Sequence, residues 1–404
     1  MMWRREVHIP EIFRRAIYVI PILFLLEYLL FSSFILIFTI LLFISIYAFI
    51  YYYLHHIQND IHLMNRKKTV KLFPGETAKI PINIKHRGII PFLQGEIFFQ
   101  SSNTIHCTNV NKLLEDDMKS NYRFSISHQF NSEKVYPVDI VAKKRGIAKF
   151  QNIELKALDP FFIGFSLLFY QSYFRTEVLV YPEPKLVANA HFLEKMKGGD
   201  HITRHSLFED TSLIRGAREY APNDPFSRIH WGLSAKNNRL MTKEFDNTNY
   251  VKWTFVLNVL VDHPQSVNNF SLNMENDICY ITYMCQYAHK HNIPFEMYAN
   301  VVMNNTQSAF HLEQGKGQTH LLKAMEMLAR ITTGSITIKP NHFYASLKKR
   351  VDEDAIMIYF GDHGKTTEEF LLSWLKTGTT IFTVEKQEEV AHILPFETRR
   401  GSVV

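Results

Sequence analysis

The chain has 404 residues, 46% hydrophobic and 21% charged, which excludes a disordered polymer and is too long for one ordinary core, so two or three units are expected. Lysine and arginine number 45 against 39 acids, a formal charge of +6; with no block of five or more basic residues, a nucleic-acid footprint is not indicated. The cysteines are Cys107, Cys279 and Cys285 alone, an odd and irregularly spaced set that excludes a disulfide framework and suits a reducing compartment.

Residues Ile17 to Tyr53 are almost wholly apolar, interrupted by Pro21, Glu27, Ser32-Ser33, Thr39 and Ser45. One helix of about 37 residues would be about 55 Å long, against a hydrocarbon core of about 30 Å. The pattern therefore predicts two transmembrane helices, about 14–31 and 34–53, turning near Ser32-Ser33. Arg4, Arg5, Arg14 and Arg15 precede the first and Arg66, Lys67 and Lys68 follow the second. Basic flanks around an uncharged turn place both termini on the cytoplasmic side of a cell membrane. A signal peptide is disfavoured, since the apolar run is too long and lacks a small-residue cleavage site. Glu27 within the first span reads as a side chain reaching the interface or meeting a partner helix.

After this membrane hairpin (1–68), residues 69–185 read as strands. Thr77–Ile84 alternates with Ala78, Ile80, Ile82 and Ile84 on one face, and Phe73-Pro74-Gly75-Glu76 supplies the preceding turn. Further strands are expected at Gly95–Gln100, Tyr122–His128, Val135–Ala142, Ala148–Leu155 and Thr176–Tyr181. Short strands at this spacing imply an antiparallel β-sandwich. From residue 251 to 404 the rhythm becomes α/β: a buried strand at Lys252–Asp262, helix at Glu275–His291, strands at Ile293–Asn300 and Ser308–Leu312, helix at Thr319–Ile331, strand at Ala355–Phe360, helix at Thr366–Leu375 and strand at Thr380–Val384.

The connecting segment, 186–250, contains RGAREYAPNDPFSRIHWGLSAK from Arg215 to Lys236. Asp224 can cap a short helix opened by Pro225. That helix, Phe226–Ala235, is expected to bury Ile229, Leu233 and part of Trp231, with Trp231 as an anchor between domains. Arg215, Arg218, Glu219, Tyr220, Asp224, Arg228 and Trp231 are the candidate partner or inter-domain residues, read either as an internal salt-bridge motif or as a docking surface for an anion or carboxylate.

This segment, continuing to Lys243-Glu244-Phe245, resembles the signature of the DUF58 family: an arginine before Glu-Tyr, then Pro-Gly-Asp, Arg-Ile-Asp-Trp and Ser-Ala-Arg. Asn223, His230 and Lys236 depart from it. Lys144-Arg145-Gly146, Leu158-Asp159-Pro160-Phe161 and Val180-Tyr181-Pro182 look like further landmarks in the usual order. The resemblance implies two membrane spans, a β-rich domain and a von Willebrand factor A-like domain of Rossmann type. It also implies partners by association, a MoxR-type AAA ATPase and a transglutaminase-like membrane protein, and no settled activity.

For an A-type metal site the chain offers Asp262, Ser266, Thr319 and Asp362, oxygen ligands suited to magnesium. Pro264 replaces a ligand serine, so the metal-free form is expected and no cofactor is assigned. His201 and His205 have zinc-compatible spacing but a loop context. Gly315–Thr319 lacks Walker spacing, and no Gly-x-Ser-x-Gly elbow occurs. With no catalytic motif, the expectation is a membrane-anchored scaffold or adaptor that engages proteins and no nucleic acid. The alternatives are a metal-dependent ligand-binding module and a hydrolase whose residues are not recognised.

Overall fold

The computed structural model describes all residues except 1, 32–33, 117, 196–209, 223, 247–251, 262–268, 303–308, 349, 352–354, 388–389 and 397–404. The chain divides into two compact units: Met1–Glu183 with Met325–Thr332, and Pro184–Ala324 with Thr333–Val404.

In the first unit the elements run β1 (Trp3–His8), α1 (Glu11–Phe31), α2 (Phe34–Asp60), β2 (Ile61–Met64), β3 (Lys68–Leu72), β4 (Thr77–His86), β5 (Phe92–Ser102), β6 (Ile105–Cys107), β7 (Asn111–Glu115), β8 (Lys119–His128), β9 (Ser132–Ala142), β10 (Gly146–Lys149), β11 (Gln151–Leu158), β12 (Phe165–Tyr170) and β13 (Thr176–Val180). They form three sheets, ordered β1-β12-β11-β5-β8-β7, β2-β4-β9-β6 and β10-β13-β3. Alternation sets the inward faces. In β4, Ile80, Ile82 and Ile84 are buried while Thr77, Lys79 and Pro81 are exposed. They join Ile97 and Phe99 of β5, Tyr122 of β8, Ile140 of β9 and Leu168 of β12 in one hydrophobic core. Trp3 is buried in it too, its indole N–H donating to Ile61 O at 2.8 Å.

The expected transmembrane hairpin is corrected here. Both helices exist, but among the described residues no helix is long and apolar enough to cross a membrane. The first turn of α1 is charged, with Arg15 Nη2 2.9 Å from Glu11 Oε2. The second helix spends its last turns inside the protein: Ile50, Tyr53, Leu54 and Ile57 belong to the core of the strands. Apolar side chains there are covered by sheet rather than by lipid. The membrane location, and the cytoplasmic placement of both termini drawn from the basic flanks, fall with the hairpin. The described side chains do not include that of Glu27. Strands, not a helical anchor followed by domains, dominate the architecture.

The second unit contains β14 (Val187–Ala188), α3 (Ala190–Lys195), β15 (Asp210–Glu219), α4 (Trp231–Asn237), β16 (Met241–Asp246), β17 (Trp253–Leu257), α5 (Met274–Lys290), β18 (Phe295–Val302), β19 (Ala309–Gly315), the start of α6 (Gln318–Arg330), α7 (Pro340–Leu347), β20 (Ile356–Phe360), α8 (Lys365–Leu375), β21 (Thr380–Gln387) and β22 (Val390–Pro395). Its main sheet is ordered β14-β22-β21-β20-β17-β18-β19. Strand β17 is parallel to β18 and β20, and β20 to β21. All five residues of β17 and of β20 are buried, as a strand covered on both faces requires. One face carries Val256, Tyr298 and Met357 against Phe343 and Tyr344 of α7 and Leu371 and Trp374 of α8. On the other, Trp253 stacks on Tyr287 of α5, ring centroids 6.0 Å apart.

Candidate functional site

Strands β15 and β16 form a separate two-stranded ribbon, pairing Ala217 with Lys243, Arg218 with Thr242 and Glu219 with Met241. Two strands alone are marginally stable in water, so what holds this ribbon lies in the residues between them. Asp224 is the hub. Its Oδ2 accepts from Arg218 Nη1 at 2.8 Å, the Ala221 N–H at 2.9 Å and Thr242 Oγ1 at 3.1 Å, while its Oδ1 accepts from Arg218 Nη2 at 2.5 Å. The two-point arginine contact, with the Ala221 and Thr242 donors, holds the Asp224 carboxyl down at about 2. Arg218 Nε also lies 3.7 Å from Glu244, and Arg239 is 2.8 Å from Glu219.

The connection then makes a 3₁₀ turn at Phe226–Arg228, bridges Ile229 to Thr242 and enters α4. His230 caps that helix: its Nδ1 accepts the Leu233 N–H at 3.2 Å, and its own N–H donates to Met241 O at 2.8 Å. Ser234 Oγ donates to His230 O at 2.9 Å and accepts from the Met241 N–H at the same distance. These contacts of the frame are polar and local; beside them Ile229 is buried, 2% exposed.

The aromatic residues are left outside. Trp231 is 68% exposed and Phe226 73%. The expectation of a single helix Phe226–Ala235 burying part of Trp231 is therefore corrected: the inward slot is filled by Ile229, and the helix starts only at Trp231. The sequence-derived set is brought together in part. Arg218, Glu219, Tyr220, Asp224, Arg228 and Trp231 lie on this ribbon and its connection, with the Tyr220 and Phe226 rings 5.8 Å apart. Arg215 is a β15 residue whose side chain is outside those described. Phe226 was missed because a phenylalanine opening a helix reads as core.

Of the four metal candidates, Thr319 and Asp362 are among the described residues. Asp262 and Ser266 are outside the described residues, as are His201 and His205. Thr319 is exposed at the start of α6, and Asp362 is half-buried after β20. Among the described residues no three His, Cys, Asp or Glu side chains gather as a metal site. Gly361 sets the approach of Asp362. Its φ is +131°, and a Cβ there would meet Asn258 O at 2.4 Å, so the chain needs glycine at that point. The group facing Asp362 is Asp277 in the first turn of α5, which the sequence reading did not single out. Asp277 is 8% exposed, and its Oδ2 has no hydrogen-bond partner. Burial, reinforced by the Asp362 charge, pushes its carboxyl up to about 7.

Cysteine adds no further chemistry. Burial pushes the Cys107 thiol up to about 12 and raises that of Cys285, whereas the nucleophile is the thiolate.

No family model matches the chain, and no curated protein matches it. Among the solved structures that match are cohesin modules. One is CaCohA2 from Clostridium acetobutylicum, 13% identical, covering 30% of this chain and 90% of that one at a TM-score of 0.19. Another is a non-cellulosomal cohesin from Archaeoglobus fulgidus, 9% identical, covering 34% and 97% at 0.20. A third is a cohesin module of a family 33 glycoside hydrolase from Clostridium perfringens, 11% identical, covering 30% and 95% at 0.18. Likeness at these TM-scores carries no inference about this chain. The resemblance to DUF58 and the von Willebrand A-like assignment find no support among the matches and are withdrawn. The MoxR-type ATPase and the transglutaminase-like membrane protein were inferred from that resemblance alone and are withdrawn with it.

Proposed function

We propose that this chain is a protein-interaction module, and that its binding element is the β15–β16 ribbon with the connection from Tyr220 to Leu240. The observation that carries this reading is the exposure of Trp231 and Phe226 on a frame braced by polar contacts. Large aromatic rings with arginine beside them are the residue types over-represented at protein interfaces. A ring held in place before the partner arrives loses little freedom on binding. Leu240 adds a further apolar contact, 46% exposed.

The test is site-specific photo-crosslinking in the full chain, with the probe at position 231, at 226, and at Tyr173 as an exposed control (92% exposed). Discrete protein adducts from 231 and 226 but not from 173 are expected. Equal adduct patterns from all three positions, or none from 231 and 226, would overturn the reading.

A further inference from the structure

Among the described residues the six-stranded sheet ends at β7, Asn111–Glu115, which is paired on one side only, with β8. Its other side is a row of peptide groups whose complement is another extended strand. Edges that stay single are guarded by proline, by charge at mid-strand or by a bulge that twists the row away. Strand β7 has a bulge, Lys112 standing opposite Tyr122 and Leu114 opposite the adjacent Asn121. What it presents there is apolar: Leu113 and Leu114 are 42% and 70% exposed, and Met118, in the turn that follows, 72%. The bulge also brings Lys112 and Glu115 onto one face, where they form an ion pair. Beside the start of the strand lies a cavity of about 350 Å³ with Val110, Phe124 and Tyr136 in its wall.

We infer that the partner of this edge is a second copy of the chain, bound by antiparallel β7–β7 pairing about a two-fold axis between Leu113 and Leu114. A two-fold contact sets the strand against its own reverse, so the strand must complement itself. In this register Leu113 stands opposite the second copy's Leu114, and Lys112 opposite the second copy's Glu115, at both ends of the pair. Opposite charges directly across a ladder are favourable, and like charges are not. An axis through Leu113 would instead set Lys112 against Leu114 and match no charges. Each charge exchanges an internal partner for an external one, so the charges select the register. The peptide groups and the covered leucines supply the gain. The antiparallel arrangement also brings the turn bearing Met118 in one copy to the start of β7 in the other, beside the cavity.

Sedimentation of the full chain over a range of concentrations reads the pairing. The parent should form a reversible dimer, and Leu114→Lys, which puts a charge at mid-strand, should leave a folded monomer. Lys112→Glu sets like charges opposite each other at both ends of the pair, and so does Glu115→Lys. Each should raise the dissociation constant about tenfold or more. Mixing these two variants should restore the parental affinity as a heterodimer, because each then meets its opposite. Mixing cannot repair the ion pair lost within either copy, so the rescue reports contact between copies. A parent that stays monomeric at every accessible concentration, a dimer indifferent to Leu114→Lys, or charge variants that fail to rescue one another would overturn the inference.

Discussion

Arg218 and Asp224 face each other across the turn that follows β15, joined by two hydrogen bonds of 2.8 and 2.5 Å. Asp224 spends its remaining acceptor capacity on the Ala221 N–H and the Thr242 hydroxyl. One carboxylate thus ties the turn to the opposite strand. The frame under Trp231 is polar, and its response to acid is set by this group. The stability Asp224 contributes is fully present above its unfolded value of 3.8 and lost as pH falls through about 2. Exchange of the Tyr220 N–H, which donates to Leu240 O, should accelerate between pH 4 and 2 beyond the intrinsic trend. Asp224→Asn should remove that step; an unchanged acid step in the variant would assign it elsewhere.

Truncating the two kinds of apolar side chain on the connection should have opposite consequences. Ile229→Ala removes a buried side chain and is expected to cost about 2–4 kcal/mol. Trp231→Ala and Phe226→Ala act on exposed rings and should change stability by no more than about 0.5 kcal/mol. Thermal melts of the three variants check this. A large loss for Trp231→Ala would mean that the indole is packed.

His128 and Asp277 should contribute to the pH dependence of their units with opposite signs. His128, 2% exposed, is pushed down to about 4 by burial, with His86 and Lys134 adding to the effect. The unfolded chain binds its proton more readily between pH 4 and 6.5, so the stability this group contributes is lost as pH falls through that window. Asp277 behaves inversely. Its proton is held in the fold up to about pH 7 and released near 3.8 on unfolding, so the stability this group contributes is lost as pH rises from 3.8 to 7. Hydrogen exchange resolved by unit should show both trends, His128→Phe flattening the first and Asp277→Asn the second. Slopes left unchanged by both substitutions would contradict the buried states of these groups.

The thiols offer a simpler count. Cys107 and Cys285 are buried and Cys279 is partly exposed. A thiol reagent at pH 8 should modify no more than Cys279 in the folded chain and all three in denaturant. Two or more fast-reacting thiols without denaturant would mean that a core opens.

What could be read from the sequence depended on whether a residue's environment is decided by its neighbours in the chain. The alternation of Ile80, Ile82 and Ile84 is local, and β4 has the expected face inward. The same holds for the apolar runs that became β17 and β20, and for the 3.6-residue pattern that became α8. Hydropathy does not distinguish lipid from protein interior, so Ile50 and Tyr53 looked like the end of a span while being core. Trp231 was placed inside because its ring is large; only the bridge from Ile229 to Thr242 shows that the inward position was already taken. Asp277 escaped notice because its neighbour Asp362 is remote in the chain, and only folding brings the two charges together.

The seat of β1 also fixes an order of events. Trp3–His8 pairs along its whole length with Phe165–Tyr170 at the edge of the largest sheet of its unit. On a ribosome, β1 must wait unpaired until β12 emerges, long after β4, β5 and β8 have become available to one another. Closing so long a loop makes this pairing a late step. Until it closes, β12 presents an open row of peptide groups to any other nascent copy. A chain lacking Trp3–His8 should therefore self-associate through the uncovered β12, in addition to losing the buried Trp3 from its core.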